Sequence, residues 1–225
     1  MTLGVLGGTF DPIHLGHVAA VEAAQRALAL DSIVLIPSRI PPHRADPVTA
    51  RPEERLAMVA LAAAGRPGWS ASRIELDRDG PSYTYDTLIA LGQALTLRQA
   101  QGHPERSRGL SERSESKGTQ ISFITGADAF AEIATWSRYP AILDLANFVV
   151  VSRPGITLDS LRERVPTAFS SRPSAKTRVI LVEAHTPDIS STDIRHRVRA
   201  GQSLSGYVPD GVADYIAAHH LYSGK

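Results

Sequence analysis

LGVLGGTFDPIHLGH, running from Leu3 to His17, carries more structural information than any other stretch of the chain. An apolar run, Leu3 to Leu6, stops at Gly7-Gly8. A polar turn with Thr9, Asp11 and Pro12 follows, and His14 and His17 flank Gly16 at the head of an Ala-rich segment. The pattern predicts a buried strand, a tight turn with no side chains on its crown, and a helix start bearing titratable groups. Such a place favours an anion, because backbone N–H groups and the positive end of the helix dipole both face it.

The segments on the C-terminal side extend this start into a repeating unit. Val18, Val21, Ala24 and Leu28 recur at helical spacing, and Ile33 to Ile36 is a second apolar run of strand length. Strand, helix and strand in so short a span predict parallel strands joined by a right-handed crossover. Pro37 closes the second strand and opens the loop SRIPPHRADP, which holds Arg39, His43 and Arg44. Thr49 reads as the N-cap of a helix with Pro52 at its start and Glu53 and Glu54 in its first turn. Trp69 to Leu76 is expected to be a third strand, and a helix is expected from near Thr84 through Leu88, Leu91 and Leu95.

Residues 98–118 are polar, highly charged and imperfectly repetitive, with one lone Leu. Such a segment buries too little apolar surface to repay its ordering, so a flexible insertion is expected there. Ile121 to Thr125, Phe148 to Val151 and Val179 to Val182 supply three more strands. Ile189 to Arg195 leads into a basic helix ended by Gly201, and a last amphipathic helix runs from about Pro209 to Leu221. About six strands alternating with helices predict an α/β fold: a Rossmann-like doubly wound parallel sheet with C-terminal helices, in a single domain over residues 1–225.

Composition narrows the chemistry. Of 225 residues, 24 are Lys or Arg and 23 are Asp or Glu, so no global field points to nucleic acid or an acidic membrane surface. The absence of cysteine excludes disulfides, thiolate catalysis and Cys-based metal centres. No apolar run approaches the roughly 20 residues that span a bilayer. The first strand begins within three residues, leaving no room for a signal peptide, so a soluble, cytoplasmic protein is expected.

Ligands of doubly wound sheets sit beyond the C-terminal strand ends. The segments there are Gly7 to His17, Arg39 to Arg44, Gly126 to Asp128 with Trp136, Arg153, and Ser190 to Arg195, which together form a phosphate-friendly rim. Three readings of His14 and His17 stand open: a capping histidine beside a core one, two imidazoles donating to a phosphoryl oxygen, and zinc ligands. Zinc lacks a third ligand at a conventional spacing. Ser190 to Thr192 read either as a plain N-cap or as phosphate ligands beside Arg195, and Trp136 as core or as a stacking surface. Neither the G-x-G-x-x-G fingerprint nor a Walker A loop is present, which counts against hydride transfer and P-loop hydrolysis.

Gly7 to His17 resembles the GGxFDPxHxGH signature of HxGH-class nucleotidyltransferases, and Ile189 to Arg195 resembles their second signature, ISSTxIR. With PSRIPPHR, GPSYTYDTL, the Trp136 region, SRPG and the terminal VPDGVADYI and LY, nearly the whole chain outside 98–118 is similar to the bacterial nicotinate-nucleotide adenylyltransferases. Two departures are Arg44, where the family more often has Lys, and the polar insertion.

The resemblance implies adenylyl transfer from ATP to nicotinate mononucleotide, with Mg²⁺ carried mainly by the ATP phosphates and no protein metal site. It implies catalytic roles for His14, His17 and Arg195. Its ATP contacts fall on Gly7, Gly8, Thr9, Phe10, His14, His17, Gly126, Asp128, Ser190, Ser191, Thr192 and Arg195. Its mononucleotide contacts fall on Arg44, Thr84, Trp136, Ser137 and Arg153, with the pyridine ring on Trp136. No nucleic-acid or membrane partner is implied, and self-association is left open. The alternatives are a sister transferase acting on phosphopantetheine, a CTP-dependent cytidylyltransferase, and a nucleotide-binding regulatory module without activity.

Overall fold

The computed structural model describes residues 1–42, 48–101, 119–152, 156–169 and 178–224. Six strands form one parallel sheet: β1 (Thr2–Gly8), β2 (Ser32–Pro37), β3 (Trp69–Ala71), β4 (Gln120–Gly126), β5 (Asn147–Ser152) and β6 (Val179–Glu183). Their spatial order is β3-β2-β1-β4-β5-β6. The order reverses between β1 and β4, and a crevice opens where the loops after these two strands diverge to opposite faces.

Alternation along the strands divides the core. Leu6, Ile33, Leu35, Ile124, Val149 and Val151 face one side, and α1 (Leu15–Leu28), α2 (Pro52–Ala63), α7 (Ser191–Arg199) and α8 (Asp210–Ala218) cover them. Val5, Ile36, Phe123, Phe148 and Val150 face the other side, under α3 (Thr84–Gln101), α4 (Ala127–Ala131), α5 (Leu158–Arg164) and α6 (Pro166–Phe169). Strands apolar on both faces are what a parallel sheet sandwiched by helices requires. Among the described residues no helix is long and apolar enough to cross a membrane.

Four details depart from the sequence expectations. Gly7 and Gly8 are not the crown of a turn: they end β1, in register with Ile36 and Pro37, and the turn proper starts at Thr9. The third strand stops at Ala71, because beyond it Asp77 N–H reaches the Arg73 carbonyl at 3.0 Å and Arg73 pairs with Asp77 at 2.7 Å, closing a helical turn. The cap of α2 is Arg51, whose N–H donates to Glu54 at 2.7 Å, while Thr49 N–H goes to Asp11. Helix α3 continues through Gln101, so the first four residues of the expected insertion are helical; 102–118 lie outside the described residues.

Gly68 shows how tightly the β2–β3 edge is joined. Its φ is +78°, and a Cβ there would lie 2.9 Å from the Asp31 carbonyl, so no other residue fits without moving the backbone.

Candidate active site

The turn after β1 is held from below by one buried cation. On α2, Arg55 shares a face with Met58, Val59 and Ala62, and it is 1% exposed. Its guanidinium donates to the carbonyls of Thr9 (2.7 Å), Ala50 (3.2 Å) and Arg39 (3.4 Å), tying together the loops after β1, after β2 and before α2. Asp11, fully buried, accepts the N–H groups of Thr49 (2.9 Å) and Ala50 (3.0 Å). Phe10 takes a positive φ of 50°, and its buried ring meets that of His17 edge to face, the centroids 5.1 Å apart.

His14 caps α1, and His17 stands three residues on, so the two rings stack with centroids 3.6 Å apart. Gly16 makes room for this pair: a Cβ there would sit 3.1 Å from His14 Nδ1 and 3.2 Å from the Pro187 carbonyl. The His17 Nδ1 accepts the main-chain N–H of His14 at 3.3 Å. A neutral imidazole that accepts at Nδ1 carries its hydrogen on Nε2, so His17 presents a donor to any ligand. Burial lowers the His14 pKa to about 4, against a weaker opposing pull from Asp193. Burial also takes His17 well below the usual range, and the neighbouring His14 adds to the effect. Both rings are therefore neutral near pH 7, and His14 Nδ1 is buried without a hydrogen-bond partner.

Helix α7 brings its N-terminus to the same turn. The Ser190 hydroxyl donates to Asp193 at 2.6 Å and accepts the Asp193 N–H at 3.1 Å, closing the cap. Ser191 donates to the Pro12 carbonyl at 2.9 Å, and Arg195 donates to the Asp11 carbonyl at 2.9 Å and to Thr192 Oγ1 at 3.1 Å. The starts of α1 and α7 thus converge, with their dipoles aimed at one space.

That space is a cleft of about 930 Å³ over the crossover between β1 and β4. Of the residues singled out in the sequence, Gly7, Gly8, Thr9, Phe10, His17, Gly126, Ser191, Thr192 and Arg195 line it. Thr84, Trp136 and Ser137 also line it. Trp136 is half-buried with its edge on Phe123, the centroids 6.0 Å apart. His14 is buried behind the lining, Ser190 is exposed and does not line the cleft, and Asp128 is exposed in the first turn of α4. Arg44 and Arg153 lie outside the described residues. Arg39 does not present a free cation: it donates to Asp79 at 2.7 Å and to the Arg78 carbonyl at 3.0 Å.

Sequence inspection missed Ser38, Glu75 and Ser82 on the cleft wall, and Arg55 beneath it. Glu75 accepts the Thr87 hydroxyl at 2.7 Å, and Ser82 Oγ accepts the Arg39 N–H at 2.8 Å. Burial pushes the Glu75 carboxyl upward, opposed by Thr87, Ser82, Arg78 and Arg55. Arg55 was recoverable from its place on the apolar face of α2. Glu75 was not, because the strand expected over 69–76 gave it no special position.

The family model described as cytidylyltransferase-like matches residues 5–197. Among curated relatives, a "Probable nicotinate-nucleotide adenylyltransferase" of Roseiflexus sp. (strain RS-1) is 42% identical over 220 residues, 98% of this chain and 97% of its own length. One of the same name from Acidothermus cellulolyticus is 37% identical over 98% of this chain and 93% of its own. A Plasmodium falciparum nicotinic acid mononucleotide adenylyltransferase complexed with NaAD shares the fold, with TM-score 0.67, 17% identity and coverage of 100% of this chain and 98% of the other. Fold, cleft and matches together define a nucleotidyltransferase of the cytidylyltransferase-like class. Within that class the chain belongs to the nicotinate-nucleotide adenylyltransferase family.

Proposed function

We propose that this chain transfers the adenylyl group of ATP to nicotinate mononucleotide, forming nicotinate adenine dinucleotide and pyrophosphate, a step in NAD biosynthesis. The observation that carries the proposal is the convergence of two helix N-termini, the His17 donor and Arg195 on one cleft at the sheet crossover, in a chain of this family.

The site suits this chemistry because the acceptor needs no activation. A phosphate monoester is ionised at pH 7, so its oxygen attacks the α-phosphorus of ATP directly; that P–O bond forms as the bond to the bridging oxygen breaks and pyrophosphate departs. The protein has only to hold two anions in line and stabilise the charge that moves onto the transferred group and the leaving pyrophosphate. The neutral Nε2–H of His17 donates to an α-phosphate oxygen without the cost of a buried cation. Backbone N–H groups of Gly8, Thr9 and Phe10 face the phosphates, and Ser191, Thr192 and Arg195 hold the β and γ groups. His14 supports His17 by stacking and by its main-chain N–H. Trp136 offers a face to the pyridine ring, with Thr84 and the main chain at Ser137 meeting its carboxylate. Arg44 and Arg153 would balance the acceptor's charge, and Asp128 a ribose.

Among the described residues no group of three or more His, Asp or Glu side chains forms a cation cage. The phosphate end of the cleft offers hydroxyls, an imidazole and a guanidinium, which fit anionic oxygens. In this reading the substrate is the Mg²⁺ complex of ATP, the ion retaining most of its waters.

The test is pyrophosphate release with Mg²⁺ and either ATP or CTP, offering nicotinate mononucleotide, nicotinamide mononucleotide and phosphopantetheine in separate reactions. Turnover with ATP and nicotinate mononucleotide is expected to be fastest. Turnover with phosphopantetheine alone, or with CTP in preference to ATP, overturns the assignment.

A further inference from the structure

Tyr222 follows α8, more than two hundred residues after the β1 turn, yet it reaches the centre of the site from behind. It is 6% exposed and packs in the core on the α1 and α8 face of the sheet. Its hydroxyl donates to Asp11 Oδ1 at 3.0 Å. Burial and the charge of Asp11 both push the phenol pKa upward, so the hydroxyl keeps its proton and remains a donor. Asp11 Oδ1 also takes the Ala50 N–H, and Oδ2 takes the Thr49 N–H.

These donors bear on Arg195. Its Nη1 lies 3.9 Å from Asp11 Oδ2, too far for a hydrogen bond, although both side chains are buried. A buried carboxylate facing an arginine with no other donors draws it into a close, forked pair at roughly 2.7–2.9 Å. Here the phenol and two N–H groups are among the donors that satisfy the carboxylate. The guanidinium turns instead to the Asp11 main-chain carbonyl and to Thr192, on the cleft wall.

We propose that Tyr222 is a positioning residue for the nucleotide: by donating to Asp11 it keeps the carboxylate from capturing Arg195, so the guanidinium charge faces the phosphate end of the cleft. The proposal rests on the assignment of that end to the ATP phosphates. Without the hydroxyl, Asp11 Oδ1 loses a donor in dry surroundings, and Arg195, whose Nη1 already stands 3.9 Å from Oδ2 of the same carboxylate, is a cation placed to answer that loss. Arg195 would then close on Asp11 and withdraw from the cleft.

The experiment is a calorimetric titration of Mg²⁺–ATP, without acceptor, into wild type, Tyr222→Phe, Arg195→Gln and the double variant, with thermal unfolding of each to show that it is folded. Phenylalanine keeps the ring and its packing, so the fold is expected to persist. Tyr222→Phe is expected to weaken ATP roughly 10-fold, the scale of one charge-assisted hydrogen bond. Its affinity for nicotinate mononucleotide, titrated separately, is expected to stay within about twofold of wild type, because the Tyr222 hydroxyl bonds to Asp11, under the β1 turn, and not to Thr84, Trp136 or Ser137. In the Arg195→Gln background the same change is expected to cost almost nothing, because its effect runs through the guanidinium. Unchanged ATP affinity in Tyr222→Phe overturns the proposal, and so does a loss shared equally by both ligands or one that adds fully to that of Arg195→Gln. A wild-type chain that fails to bind Mg²⁺–ATP overturns the assignment of the cleft itself.

Discussion

At the scale of single residues, the role proposed for His17 rests on ring placement more than on charge. His17 is neutral and half-buried, with one nitrogen committed to the main chain, so its whole contribution is one directed donor. His17→Ala is expected to lower kcat by roughly 10²–10³, the range for removing one preorganised donor to a transition-state oxygen, with Tm little changed. Gly16→Ala probes the same geometry without touching the donor. The added methyl meets the His14 ring and the Pro187 carbonyl at 3.1 to 3.2 Å, so the stacked pair must shift. Helix propensity favours alanine by about 1 kcal/mol, which offsets the crowding in stability but not in catalysis. The expected outcome is a near-normal Tm with kcat reduced at least about tenfold, since misplacement of a catalytic group is felt steeply. Steady-state kinetics beside a melting curve decide this, and a wild-type kcat in Gly16→Ala would show that ring position is not sensed.

Individual elements were legible in the sequence to the extent that their signals were local. Pro52 with Glu53 and Glu54 placed the start of α2, and continuous apolar runs placed β1, β2, β4 and β5, because a parallel strand is buried on both faces. Trp69 to Leu76 misled for a physical reason: an edge strand needs little length, and the Arg73–Asp77 pair that ends it is an i,i+4 contact visible only once a turn is assumed. Thr49 is as good an N-cap by type as any residue, but its N–H is taken by Asp11, 38 positions away, and no local rule contains that bond. The serine run before α7 was read two ways, and its residues have separate tasks: Ser190 caps, Ser191 ties the helix to Pro12, and Thr192 holds Arg195. Ser190→Ala is accordingly expected to cost about 1 kcal/mol and a few degrees of Tm. It should also raise the KM for ATP, because fraying the first turn of α7 loosens the placement of Arg195. Asparagine at 190 caps equally well and should restore both values; a restored Tm with an uncorrected KM would assign Ser190 a direct role in binding.

For the molecule as a whole, buried titratable groups set the response to pH. His14 and His17 have pKa values below that of an unfolded histidine, near 6.5, so between pH 6.5 and about 4 the unfolded chain binds more protons than the folded one. Their effect on stability is therefore absent above pH 6.5 and becomes a penalty as pH falls toward 4. For His14 alone the fall from 6.5 to about 4 corresponds to about 3 kcal/mol. Glu75 has the opposite sign: its raised pKa lets the folded state take up a proton more readily, so acidification relieves a cost there. Two imidazoles against one carboxyl give a net loss. Tm is expected to drop as pH is lowered from 7 to 4.5, and His14→Asn is expected to drop less over the same interval. Equal slopes in the two proteins would place the proton uptake elsewhere.

The bonds that close the candidate phosphate end of the cleft join residues 179 to 211 positions apart: Ser191 to Pro12, Arg195 to Asp11, and Tyr222 to Asp11. The glycine-rich stretch is synthesised well before these partners. A ribosome-bound chain that has released β1 through β5 can already pair those strands, but it has neither the guanidinium nor the phenol that finish the cleft. On the proposed assignment of the cleft, a chain truncated before α7 carries the full opening signature but lacks Ser191, Thr192 and Arg195, and is expected to bind ATP weakly.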